Sequence, residues 1–96
     1  MTTKTAEITL RLFGPLRTAI GQREVRLSCV DGTVMEALSA FVAEQGEAAR
    51  PFVFDERGNQ RRSVILLLNG EPVADARRAR LRAGDMLDLL LPLAGG

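Results

Sequence analysis

Thr33-Val34-Met35-Glu36-Ala37-Leu38-Ser39-Ala40-Phe41-Val42-Ala43-Glu44-Gln45-Gly46 is the stretch on which the reading of this chain turns. A threonine with a glutamate three positions on is a capping box. The hydroxyl accepts from an otherwise unpaired backbone N–H of the first helical turn, and the carboxylate accepts from the threonine's own N–H. Val34, Leu38, Phe41 and Val42 recur at helical spacing and share one face. Ala37 and Ala40 add helix propensity, and Gly46 suits the C-terminal stop. The spacing predicts one amphipathic helix over Val34–Gln45 that needs an apolar surface to cover.

Strand patterns lie on both sides of it. Upstream, Ile8, Leu10 and Leu12 alternate with Thr9 and Arg11, the period of two that marks a half-buried strand; Phe13 extends it and Gly14-Pro15 stops it. Leu16 to Ile20 reads as a single helical turn closed by Gly21. Val25, Leu27 and Cys29 then alternate with polar residues, a second strand joined to the first as an antiparallel hairpin. Downstream, residues 47–62 read as irregular, with Pro51 breaking any helix, Phe52 and Phe54 docking on the core edge, and Asp55 to Asn59 forming an exposed turn. Ser63 to Leu68 is a continuous apolar strand, and Asn69-Gly70 is the strongest short turn signal in the chain. Glu71-Pro72-Val73 is a short strand at a sheet edge, because proline cannot donate to a ladder. Arg77, Arg78, Arg80 and Arg82 around Leu81 read as a solvated loop. Ala83-Gly84-Asp85 turns the chain into a last strand, Met86 to Leu91, ended by Pro92. Two hairpins flanking one helix make a two-layer α+β arrangement, a mixed sheet of four to five strands with the first and last strands side by side at its centre. Residues 1–92 are expected to form the folded domain and residues 93–96 a flexible tail.

Composition bounds what such a domain can do. The 96 residues carry a formal net charge of +1, which gives no broad attraction to nucleic acid or membrane. Lys4 is the single lysine beside twelve arginines, so a chain linked through its own lysines has almost no acceptor. The absence of histidine removes Ser-His and Cys-His nucleophile pairs and the commonest metal ligand. The lone Cys29 cannot form an internal disulfide or a structural zinc site; it continues an inward-facing alternation and reads as a small buried hydrophobe. Asp85 and Asp88 read as a turn residue and a solvated strand residue on opposite faces. Four Phe in core-like positions, with no Trp or Tyr, offer no stacking platform for nucleic acid. No metal site, no catalytic set and no bound cofactor is expected. The polar Met1 to Thr5 and the lack of a long apolar run point to a cytoplasmic protein.

The end of the chain stands apart. Leu93-Ala94-Gly95-Gly96 follows the last strand. Glycine has no Cβ and tolerates almost any backbone conformation, so two in succession can thread a narrow channel and bring a carboxylate to a nucleotide phosphate. An α-carboxylate, with a reference pKa of about 3.3–3.7, is ionised at neutral pH and is a poor electrophile. A partner must activate it, most simply as an acyl-adenylate made from ATP.

Tail and element order together resemble the MoaD/ThiS family of ubiquitin-like β-grasp sulfur carriers, over nearly the whole chain. Leu12-Phe13-Gly14-Pro15-Leu16-Arg17 followed by Gly21 is similar to the family's first strand and turn. Asp31 to Leu38 is similar to its helix start, and Leu68 to Val73 to its second hairpin. The specific likeness is Gly84-Asp85-Met86-Leu87-Asp88-Leu89-Leu90-Leu91-Pro92-Leu93-Ala94-Gly95-Gly96, the closing Gly-Asp, apolar strand, proline and di-glycine. The closest likeness is to the MoaD branch, whose longer relatives carry a Phe-Asp-Glu-x-Gly pattern like Phe54 to Gly58. Two departures stand out. Leu90 occupies a place that is often aromatic, and Leu91-Pro92 replaces Pro-Pro.

The resemblance implies that a ubiquitin-activating-type enzyme adenylates the carboxylate of Gly96 using ATP, and that sulfur from a persulfide donor displaces AMP to leave a thiocarboxylate. It implies that Leu93, Ala94 and Gly95 thread the partner's active site, and that Leu90, Pro92 and Arg17 dock partners. For Arg17 a surface or hydrogen-bonding role is equally open; Leu90 faces outward if Leu87, Leu89 and Leu91 face the helix, or is covered by residues 47–62. In the MoaD branch the chain would be the non-catalytic, sulfur-donating small subunit of molybdopterin synthase, delivering sulfur to precursor Z beside a catalytic large subunit. The alternatives are sulfur donation to cysteine, thiamin or tRNA pathways, a protein modifier conjugated through Gly96 to lysines of other proteins, and a ubiquitin-fold binding module whose tail is inert.

Overall fold

The capping box closes as the sequence requires. In the computed structural model, which describes residues 5–30 and 32–91 and, among these, the side chains of all but Thr5, Ala6, Cys29 and Val30, Thr33 Oγ1 accepts from the Glu36 N–H at 3.2 Å and Glu36 Oε1 accepts from the Thr33 N–H at 3.2 Å. The helix so started, Val34–Gln45, is the second in the chain and is called α2. Its buried stripe is Val34, Ala37, Leu38, Phe41 and Val42.

Around it run strand β1 (Thr5–Phe13), helix α1 (Pro15–Ile20), strand β2 (Glu24–Val30), a 3-10 turn at Gly46–Ala48, helix α3 (Arg50–Val53), and strands β3 (Ile65–Leu68), β4 (Glu71–Pro72) and β5 (Met86–Leu90). The sheet order is β2-β1-β5-β3-β4. β1 and β2 are antiparallel, as are β3 with β4 and β3 with β5, whereas β1 and β5 run parallel at the centre. This is the expected α+β sheet with one main helix on one face.

Register assigns each residue its face. Leu10 is opposite Leu87 and Leu12 opposite Leu89 across the central pair, with Leu66 beyond Leu89 on β3. These side chains and Ile8 are buried. With the stripe of α2 they form the core, which Leu16 of α1 and Val53 of α3 complete. The Asn69-Gly70 turn joins β3 to β4 with both residues at positive φ, 51° and 86°. Such a turn matches the twist of the strands. Asn69 also ties this hairpin to β5: its side-chain carbonyl accepts from Met86 N–H at 2.9 Å, and its amide donates to Asp85 Oδ1 at 3.0 Å.

Two expectations need correction. Residues 47–62 are not irregular throughout, because the 3-10 turn and α3 lie within them and bury Ala49 and Val53. Pro51 sits in the first turn of α3, where a backbone N–H has no helical acceptor and its loss does no harm. The arginine-rich segment is also more than a solvated loop. The arginine side chains at 77, 78, 80 and 82 are exposed. The backbone of the segment, however, docks on the start of α2: Val34 N–H donates to Ala79 C=O at 2.8 Å and Met35 N–H to Ala76 C=O at 2.9 Å. These are the orphan amides of a helix N-terminus, and pairing them buries Ala76 and Leu81. Phe52 and Phe54 pack against the core as half-buried residues, as expected.

Replacing Thr33 by Ala removes the acceptor for the Glu36 N–H and is expected to lower stability by about 1 kcal/mol. Thr33→Ser is expected to cost little. Urea unfolding followed by far-UV circular dichroism checks both.

Candidate functional site: the outer sheet face at the end of β5

The face of the sheet turned away from α2 is set by the same alternation that makes the core. Residues paired across β1 and β5 on this face are Arg11 with Asp88 and Phe13 with Leu90; Leu90 is in turn opposite Ile65, and Asp88 opposite Leu67. One end therefore carries an apolar row, Phe13, Leu90 and Ile65. Ile65 is 47% exposed and is the one strongly exposed large hydrophobic residue among the described residues. Leu90 is half-buried and points away from the core side chains Leu87 and Leu89. The helical part of residues 47–62 packs on α2, on the other side of the sheet.

The neighbouring row is polar, and here the sequence reading of Asp88 was incomplete. Asp88 is 5% exposed rather than solvated. Its two carboxylate oxygens accept from Arg11 Nε at 2.6 Å and Arg11 Nη2 at 2.7 Å, a bidentate pair across the central strands. A position on the outer face of an edge strand would be wet, but β5 is central, and side chains of β1 and β3 flank Asp88 on both sides. The hydrogen bond to Asp88 raises the Arg11 pKa further above its ordinary value, with the charges of Asp88 and Glu24 acting in the same direction and desolvation opposing. A raised folded-state pKa favours folding at every pH below the unfolded value and loses that contribution only as pH passes the folded value. For an arginine this window lies in strong alkali, so Arg11 stays charged throughout the neutral range. Its guanidinium carbon also sits 5.8 Å from the centroid of the Phe13 ring, within cation–π range.

The apolar row lies where the described chain leaves the sheet. Gly14 has φ 69° and ψ −147°, and a Cβ built there would meet the Leu91 carbonyl oxygen at 2.5 Å. Only glycine lets β1 turn into α1 with the chain after β5 pressed against it. Arg17 follows on α1, half-buried, and lines two shallow clefts together with Arg23. Leu90 and Arg17 thus lie near the same end of the sheet. The remaining expected site residues, Pro92, Leu93, Ala94, Gly95 and Gly96, lie outside the described residues, as does the side chain of Cys29. Sequence reasoning missed Arg11, Asp88 and Arg23. Arg11 and Asp88 could have been paired by aligning the two central strands; nothing local distinguishes Arg23 from the other surface arginines. No group of three or more potential metal ligands occurs among the described residues, and no helix there is long and apolar enough to cross a membrane.

Two substitutions probe this geometry. Arg11→Leu leaves the Asp88 carboxylate buried without its partner and is expected to lower the urea midpoint more than the double change Arg11→Leu with Asp88→Leu, which removes both charges. Gly14→Ala adds a Cβ both at positive φ and against the Leu91 backbone, and is expected to destabilise by at least about 1 kcal/mol and to shift the amide NMR signals of Leu90 and Leu91.

Among curated proteins none matches the chain. Solved structures do. SAMP1 of Haloferax volcanii is 34% identical, with 95% of this chain and 100% of that chain covered and a TM-score of 0.86. The small archaeal modifier protein 1 of Methanosarcina acetivorans is 27% identical, covering 97% and 99% of the two chains, with a TM-score of 0.80. The complex of subunits 1 and 2 of the molybdopterin-converting factor from Helicobacter pylori is 23% identical, covering 94% and 99%, with a TM-score of 0.61, a likeness of fold. The ThiS family model matches residues 10–96, from the middle of β1 through Gly95-Gly96. With a five-stranded mixed sheet, one main helix and that match, the chain belongs to the ThiS family and has its ubiquitin-like β-grasp fold.

Proposed function

We propose that this chain is a sulfur carrier that works through the carboxylate of Gly96, and that its principal acceptor is the large subunit of molybdopterin synthase. The observation that carries the reading is the family match extending through Gly95-Gly96. It is supported by a fold that ends its central strand beside Gly14 and an apolar row.

In this reading a ubiquitin-activating-type enzyme brings the Gly96 carboxylate to ATP. A carboxylate oxygen attacks the α-phosphorus, pyrophosphate leaves, and an acyl-adenylate forms. The terminal sulfur of a donor persulfide then attacks the carbonyl carbon and expels AMP. A thiol cleaves the resulting S–S bond and leaves the thiocarboxylate. The chain itself supplies no acid, base or nucleophile to these steps. It supplies a tail: Gly95 and Gly96, which lack side chains, can enter a narrow channel with Leu93 and Ala94 following them into the partner's active site, and Leu90, Pro92 and Arg17 are assigned to docking. The chemistry and the ATP belong to partners, as they would in the cytoplasm.

A second reading is favoured by one observation, the 34% identity to SAMP1 over 95% of the chain. In it the same adenylate passes Gly96 to lysines of other proteins as a modifier. The two readings share activation and part at the acceptor.

Intact-mass measurement after incubation with ATP, the activating enzyme and a persulfide donor tests the shared step and the sulfur transfer. A gain equal to the difference between a sulfur and an oxygen atom is expected. It should persist in Cys29→Ala and vanish when Gly96 is deleted. The opposite pattern, loss with Cys29→Ala and survival without Gly96, would move the sulfur to the thiol and end the carrier reading. Isopeptide adducts on other proteins in cell lysate, without any thiocarboxylate, would favour the modifier.

A further inference from the structure

The helical layer carries an open cleft that the carrier chemistry does not use. It measures about 380 Å³ and runs along the flank of α2, with buried Val42 and half-buried Met35 and Phe54 as its apolar part and Arg50, Gly58 and Arg77 around them. One wall is the Phe54 to Gly58 stretch that the sequence singles out. Its turn is built from within: Asp55 Oδ1 accepts from the N–H groups of Arg57 and Asn59, both at 2.9 Å, and Gly58 N–H donates to Asp55 C=O at 3.0 Å. Phe54 N–H donates to Arg50 C=O at 2.9 Å, which ties this turn to α3.

The two arginines come from opposite ends of the flank. Arg77 belongs to the segment whose Ala76 C=O accepts from Met35 N–H at the start of α2, and Arg50 opens α3 just beyond the C-terminal end of α2. The part of α2 that lines the cleft, Met35 to Ala43, is about 12 Å long at 1.5 Å per residue. Among the described residues, none that lines the cleft is acidic. The carboxylates near it are engaged elsewhere or held loosely. Asp55 is bound into its own turn, and Asp75 accepts from Arg77 backbone N–H at 3.0 Å and pairs with Arg78 at 3.7 Å. Glu47 meets Arg50 at 3.5 Å, but both side chains are largely exposed, and such a surface pair gives way readily to another carboxylate. A small anion would meet one arginine and leave the apolar part uncovered, and an open cleft does not enclose a small molecule. An extended segment rises about 3.3 Å per residue, so acidic side chains three positions apart span about 10 Å. They can meet both arginines while the residues between them cover Val42, Met35 and Phe54.

We propose that this cleft takes an extended segment of a partner protein in which apolar residues lie between two acidic ones, read by Arg50 and Arg77. The cleft is on the helical layer, whereas Phe13, Leu90 and Ile65 are on the opposite face of the sheet, so such a partner can be held while the tail is engaged. Only that last clause rests on the carrier reading.

The test is titration of the isotopically labelled full chain with the blocked hexapeptide Ser-Asp-Leu-Leu-Glu-Ser, followed by amide NMR. Shifts are expected at Ser39, Ala43 and Gly58. Arg50→Ala and Arg77→Ala are each expected to weaken binding about threefold and together about tenfold, and added salt to weaken it further. Ser39→Phe, which fills the cleft from an exposed position on α2, is expected to abolish it. Arg26→Ala, on exposed β2 surface outside the cleft, is expected to leave it unchanged. Thermal melts check folding, and the arginine variants carry the test alone if Ser39→Phe unfolds the chain. Equal binding of the Asn/Gln peptide Ser-Asn-Leu-Leu-Gln-Ser, or of Ser-Asp-Ser-Ser-Glu-Ser, overturns the proposal, as does no shift at millimolar peptide or a shift confined to Phe13 and Leu90. The same shifts produced by inorganic phosphate and lost in Arg77→Ala also overturn it, because the cleft would then be a simple anion site. ATP–pyrophosphate exchange with the activating enzyme separates this proposal from the carrier reading. A KM for the chain unchanged by saturating peptide is expected, and a raised KM overturns the independence of the two faces. Arginine-dependent peptide binding with no Gly96-dependent exchange keeps the cleft and ends the carrier reading; normal exchange with no peptide binding does the reverse.

Discussion

The parallel pairing of β1 with β5 is the constraint from which the rest of this molecule follows. Side chains alternate along a strand, so one register sorts both faces at once. Leu10 with Leu87 and Leu12 with Leu89 go to the core, and Arg11 with Asp88 and Phe13 with Leu90 go outside. A slip by one residue would turn Asp88 toward α2 and the leucines toward water. Core packing and the bidentate ion pair therefore specify the same register from opposite sides of the sheet. A partly buried ion pair is weak evidence for stability, because desolvating the Asp88 carboxylate offsets much of the attraction. Its use as a register device is better supported here, since the register that buries Leu87 and Leu89 is the one that sets Asp88 opposite Arg11.

The same register decides where the chain leaves the sheet. β5 is central, so its exit lies between the end of β1 and the start of β3 rather than at an open edge. Leu91 then has to pass the β1–α1 corner, and the absence of a side chain at Gly14 makes room for its carbonyl. The other end of the sheet is held differently. Asn69 bonds the β3–β4 hairpin to the start of β5, and the segment around Ala76 and Ala79 pairs with the first amides of α2. Both ends of β5 are thus defined by contacts with backbone, which leaves the outer side chains at the exit free to differ without disturbing the fold.

Much of this was legible in the sequence, and what was missed has a common cause. The α2 helix, the two hairpins and the central pairing of first and last strands rest on local signals: a capping box, an Asn-Gly turn and apolar periods of 3.6 and 2. The short helix α3 has no such period; it forms because Val53 and Ala49 find the side of α2. Pro51 was read as a breaker, although its place in a first turn makes it compatible with a helix. Asp88 was read from alternation alone as solvated, and alternation cannot tell a central strand from an edge. The arginine segment looked like a loop because its side chains are charged, whereas its structural role is carried by backbone carbonyls that no side chain announces. For the candidate site, Leu90 and Arg17 came from the resemblance. Arg23 came only from the fold, which brings the α1–β2 turn beside the end of β1. The di-glycine end was read from its position in the sequence, and the family match runs through it.

A donor whose reactive atom sits at the end of a side-chain-free segment cannot draw much affinity from that segment. Glycines bury little apolar surface, and ordering them costs more backbone entropy than ordering any other residue. In the carrier reading, recognition has to come from the folded body. Its position then matters as much as its strength, because docking converts insertion of the tail into an intramolecular event whose effective concentration depends on the distance to be spanned. A strand of five residues is about 17 Å long. A docking surface at the Asn69 end of β5 would force a tail of comparable length to run back along the sheet before it could enter a partner. A surface built from Phe13, Leu90, Ile65 and the Arg17–Arg23 corner leaves that length available for reach. Half-buried Phe13 and Leu90, exposed Ile65, and the arginines Arg17 and Arg23 do lie at one end of the sheet, the end where β5 stops.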